Sequence, residues 1–79
     1  MKSIQIEYFA VLRDHVGCAG ETVSTVAETP GDLYTELQAR YTIPEIGTVK
    51  VAINAEFSDW HASLQDGDTV VFIPPVAGG

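Results

Sequence analysis

A single cysteine, Cys18, stands in this 79-residue sequence. No intramolecular disulfide is possible, so a small core must hold the fold without cross-links. Basic residues are scarce as well: Lys2, Arg13, Arg40 and Lys50 face eleven acids, for a net charge of −7. That imbalance repels phosphate backbones and anionic lipid heads, so neither nucleic acid nor a membrane surface is an expected partner. A protein with a basic docking face would be attracted, with faster association at low salt. Acidity that only keeps the chain soluble is the plainer reading beside it. No run approaches the roughly 18 apolar residues of a membrane span. The opening MKSIQIEYFA alternates polar with apolar around Glu7, unlike a secretory leader, and the expected location is the cytoplasm.

The residues that are present divide into short periodic segments. In SIQIEYF, residues 3–9, Ile4, Ile6 and Tyr8 fall on one side of a strand and Ser3, Gln5 and Glu7 on the other. A turn or two of helix is predicted from Ala10 to Val16, closed by Gly17 as a left-handed cap. The β-branched stretch 21–26 reads as a second strand, antiparallel to the first. Thr29-Pro30-Gly31-Asp32 has the form of a helix start, with Thr29 as N-cap, Pro30 at the first position and Asp32 near the positive helix end. Leu33, Leu37 and Tyr41 recur every fourth residue and face the core, with Glu36 and Arg40 spaced to pair outside.

Pro44 and Gly47 mark a loop, after which Val49, Val51 and Ile53 line one face of a third strand. A short edge strand is expected near 56–58 and a turn at Asp66-Gly67-Asp68. The last strand, TVVFI from Thr69, is stopped by Pro74. One helix of about Thr29 to Tyr41 over a mixed sheet makes an α+β roll, with residues 1–73 as body and 74–79 as tail.

The body offers little chemistry. Cys18 near His15 suggests a thiol nucleophile, but Asp14 and Glu21 flank it and nothing makes the setting electropositive, so an ordinary thiol is the better reading. His15 and His61 have no metal-ligand spacing, and no metal is assigned. Asp66-Gly67-Asp68 lacks the other ligands of a calcium loop. Trp60, in Asp59-Trp60-His61, reads as a structural aromatic at the edge of the core. No glycine-rich loop follows a strand, so the chain itself is not expected to bind ATP.

The tail is different. Pro74 and Pro75 hold the exit extended, which projects Val76, Ala77, Gly78 and Gly79 away from the body. Two glycines can thread a channel too narrow for side chains. The terminal carboxylate is then the one reactive group at the tip and is suited to activation as an acyl adenylate, against the plainer reading of a frayed terminus.

In the segments EYFAVLRDHVG, VAIN and LQDGDTVVFIPPVAGG, the chain resembles the ubiquitin-like sulfur carriers of β-grasp fold, the small subunits of molybdopterin synthase among them. The resemblance implies that a ubiquitin-activating-like adenylyltransferase adenylates the Gly79 carboxylate with ATP. A thiocarboxylate then forms on it, and the tail delivers sulfur to a pterin precursor inside the large subunit of molybdopterin synthase, in a heterotetramer. The chain would be a sulfur-donating subunit with no catalytic side chain and no bound cofactor of its own. Gly78, Ala77, Val76, Pro75 and Pro74 would line the partner's channel.

The same likeness places docking on the sheet face that the helix leaves open. There Ile73 is the expected contact if Phe72 lies under the helix, with Phe57 and Arg13 as further candidates. For Phe57, simple core packing is the other reading. A thiamin-pathway sulfur carrier and a ubiquitin-like modifier or interaction module remain alternative functions.

Overall fold

The computed structural model describes residues 1–43 and 49–74. The expected loop residues Pro44 and Gly47 lie outside them. The elements run β1 (Lys2–Tyr8), α1 (Val11–Val16), β2 (Gly20–Thr25), α2 (Pro30–Arg40), β3 (Lys50–Ile53), β4 (Glu56–Ser58) and β5 (Thr69–Ile73). They form one mixed sheet of order β2-β1-β5-β3-β4. β1 and β5 pair in parallel, and every other neighbouring pair is antiparallel. This is the α+β roll that the residue pattern predicts, in the β-grasp form that the resemblance implies.

Alternation decides which face is buried. Ile4, Ile6 and Tyr8 of β1, Val51 of β3 and Val70 and Phe72 of β5 point to one side, where they meet Leu33, Tyr34 and Leu37 of α2. Leu12, Val23, Ala27, Val49 and Leu64 complete this core. Trp60 joins it from the side, with Tyr34 edge-on to both Trp60 and Phe72 at centroid distances of 5.4 and 5.1 Å. Trp60 is therefore a structural aromatic, as its sequence context suggests.

Helix α2 starts as its residues require. The Thr29 hydroxyl accepts the Asp32 N–H at 3.1 Å, and Pro30 occupies the first turn, where no N–H is needed. Its last turn closes with the Tyr41 N–H donating to the Leu37 carbonyl. Gly17, at φ 91°, caps α1 by donating to the Arg13 carbonyl at 2.8 Å. Glu36 accepts the Thr25 hydroxyl at 2.6 Å, a tie between α2 and β2 that the i, i+4 spacing to Arg40 does not reveal.

The β3–β4 hairpin turns through Asn54 and Ala55, both at positive φ, 50° and 72°. Asn54 also ties this turn to β5: its N–H donates to the Thr69 carbonyl, and its side-chain oxygen accepts the Thr69 N–H at 3.0 Å. Its amide nitrogen donates to Asp68, which in turn accepts the Gln65 N–H. Asp66 accepts the Ser3 N–H, so the Asp66-Gly67-Asp68 turn fastens the start of β1 beside the start of β5.

Candidate docking face

Helix α2 leaves the second sheet face uncovered, and register gives its composition. Gly20 of β2 lies opposite Glu7 of β1, Glu7 opposite Val71 of β5, Val71 opposite Ala52 of β3, and Ala52 opposite Phe57 of β4. These five residues form one row across all five strands. The next row toward the exit of β5 holds Ile73 opposite Lys50.

Val71 and Ile73 are half-buried, while Phe57 is 77% exposed. Phe57 thus does not pack into the core. An apolar strip of Val71, Ile73, Ala52 and Phe57 on an otherwise polar surface is a feature associated with docking.

Ile73 takes the face opposite to Phe72, which is fully buried, as the alternation in β5 predicts. Arg13 is exposed at the end of α1 that follows β1, and it lines a shallow depression with Glu7, Phe9 and Ala10. Phe9 is 49% exposed there and was not singled out from the sequence. The signal was present, since Phe9 continues the outward series Ser3, Gln5, Glu7.

Pro74, which the sequence reading places first in the tail, is buried at the end of β5. A proline can close a strand against the core because it leaves no N–H to be satisfied. Pro75, Val76, Ala77, Gly78 and Gly79 lie outside the described residues.

On the helix side, the hydroxyls of Tyr8 and Tyr41 both donate to one oxygen of Glu21, at 2.7 and 2.9 Å. Burial, with the Glu21 hydrogen bond next, pushes the Tyr8 hydroxyl far above its usual ionisation range. The same hydrogen bond raises that of Tyr41 first, and burial adds to it. This cluster ties β1, β2 and the end of α2 together, and Cys18 packs half-buried against the neighbouring core. The cluster supports the fold and presents no group to the open face. Among the described residues no group of three or more His, Cys, Asp or Glu could hold a metal ion, and no helix is long and apolar enough to cross a membrane.

Three solved structures among the most similar share this architecture. The Haloferax volcanii HVO 2177 protein is 29% identical, with a TM-score of 0.81 over 99% of this chain and 87% of that one. A protein of Pyrococcus furiosus described as a putative molybdopterin converting factor, subunit 1, is 26% identical, with a TM-score of 0.81 over 96% of this chain and 100% of that one. Small archaeal modifier protein 1 of Methanosarcina acetivorans, at 24% identity and a TM-score of 0.81 over 100% and 98% of the two chains, shares the fold. The ThiS family model matches residues 6–79, from the middle of β1 through the diglycine. The chain belongs to the ThiS family of ubiquitin-like sulfur carriers.

Proposed function

We propose that this chain is the sulfur-carrying subunit of a molybdopterin synthase, with the Gly79 carboxylate as its reacting group. The carboxylate attacks the α-phosphate of ATP in a ubiquitin-activating-like adenylyltransferase and releases pyrophosphate. A sulfur donor then displaces AMP from the acyl adenylate and leaves a thiocarboxylate. In the large synthase subunit that sulfur passes to the pterin precursor. The chain contributes the acyl group, its delivery and the docking surface, and the partners contribute the catalytic side chains.

The observation that carries this reading is continuity. The apolar strip of the open face ends at Ile73, the last residue of β5, and only the buried Pro74 separates it from the segment that begins at Pro75. A partner seated on Val71, Ile73 and Phe57 would have the tail leaving directly beside its surface. The 26% likeness to a protein described as subunit 1 of a molybdopterin converting factor supports the choice among sulfur carriers. The fold by itself does not make that choice, since a protein described as a modifier has it too.

Intact mass spectrometry after incubation with the adenylyltransferase, ATP and a sulfur donor tests the reading. The expected product has one oxygen replaced by sulfur, located to the C-terminal peptide, and converts the pterin precursor only when the large subunit is present. Sulfur transfer into thiazole synthesis instead would assign the chain to the thiamin pathway. An isopeptide-linked conjugate without sulfur transfer would assign it to protein modification.

A further inference from the structure

Glu7 is out of place on a docking face. It lies mid-sheet in β1, half-buried, with Val71 beside it on β5 and Gly20 on β2. No described residue makes a hydrogen bond or ion pair with its carboxylate. Arg13 lines a depression with it but makes no ion pair with it.

In the free protein this arrangement is harmless, because water reaches the carboxylate. Covering the face changes that. A charge taken out of water without a partner is strongly disfavoured, and here it would sit among Val71, Ala52 and Ile73.

The neighbouring strand leaves room for a remedy. Gly20 has no side chain, and none is possible without distortion, because a Cβ there would come within 2.8 Å of the Ile6 carbonyl oxygen. The result is a shallow depression of about 450 Å³ whose lining includes Gln5, Glu7, Ala19, Gly20, Glu21 and Thr22. Beside the Gln5 amide, its polar side chains are carboxylates and a hydroxyl, and no basic residue lines it. With a net charge of −7, the whole molecule favours a cation at such a place.

We propose that the depression over Gly20 receives a cationic side chain, a guanidinium or an ammonium, of the protein that docks on the open face, paired with the Glu7 carboxylate. The inference rests on the open-face docking of the proposed function. It makes Glu7 a specificity residue: a partner with an apolar or acidic side chain at that point would strand the carboxylate and be rejected.

Titration calorimetry of the full chain with the purified adenylyltransferase of the same organism tests the pairing, using Glu7→Gln and, as a docking control, Ile73→Asp. Glu7→Gln keeps the shape and removes the charge, and an unchanged melting temperature confirms the fold. The expected result is binding weakened by about tenfold or more, with a shallower dependence on salt than the parent shows.

Parent-like affinity for Glu7→Gln, while Ile73→Asp abolishes binding, would overturn the pairing and leave open-face docking intact. Parent-like affinity for both would overturn docking and pairing together. A Glu7→Gln effect that disappears in an Arg13→Gln background would identify Arg13 as the cation and overturn the partner's role.

Discussion

The indole of Trp60 lies flat against the ring of Phe72, with centroids 5.8 Å apart and planes 8° from parallel. Phe72 precedes Ile73 in the same strand, so this stack holds the core side of β5 while the open side carries the docking strip. Trp60→Ala should therefore cost about 2–3 kcal/mol, somewhat below the range for fully buried aromatics because Trp60 is partly exposed. Urea denaturation measures the loss. Binding to the partner, measured well below the unfolding midpoint, should stay within about twofold of the parent, since no open-face side chain is touched.

Leu37 sits wholly inside, between α2 and the sheet. Leu37→Ala is expected to destabilise by about 2–5 kcal/mol, a large part of the stability of so small a domain. A melting temperature equal to the parent's would contradict the placement of α2.

Ile73→Asp tests the face assignment. The side chain is half-buried on the open side, so the variant should keep a native circular dichroism spectrum while partner binding falls sharply. Loss of the folded spectrum would put Ile73 in the core.

The pair of tyrosines on Glu21 predicts a dependence on alkaline pH. Both hydroxyls hold their protons more tightly in the folded chain than in the unfolded one, Tyr8 chiefly through burial and Tyr41 chiefly through its hydrogen bond. Their contribution to stability is complete below the ordinary tyrosine pKa of about 10 and is lost as pH climbs above it. Denaturation midpoints should be flat with respect to these groups up to about pH 9 and then fall. In Tyr8→Phe the fall should be smaller, although the variant starts less stable for want of one hydrogen bond.

Ala55 occupies a left-handed conformation, φ 72°, that a Cβ disfavours. Ala55→Gly should raise stability by about 0.5–1 kcal/mol as strain relief exceeds the added chain entropy. Thermal unfolding of the two proteins side by side gives the sign directly.

Much of the fold was legible because local rules and global packing agree. The Thr29-Pro30 start, the Gly17 cap and the alternation that separates Phe72 from Ile73 each follow from a few adjacent residues, and each is found in place. What escaped depends on partners distant in sequence. Glu36 of α2 reaches Thr25 of β2, Tyr8 and Tyr41 share Glu21, and the Asn54 clamp on Thr69 spans fifteen residues. The burial of Pro74 is of the same kind, since a proline that ends a strand and one that opens a tail look alike in sequence. The open face was legible only in part: alternation yields Ile73, whereas the row from Gly20 through Glu7 to Phe57 needs the strand order.

That strand order also governs when the domain can come into being during synthesis. β5 is the last of the described strands to be made and stands between β1 and β3, so the β1–β2 and β3–β4 pairs have no strand bond to each other until it arrives. A ribosome still holding β5 in its tunnel carries two disconnected strand pairs with exposed edges, and long-range pairing of this sort is slow to form. Assembly of the sheet must then wait for β5 to emerge, and a product cut short before Thr69 would leave the sheet in two pieces, exposed to clearance as an unfolded chain.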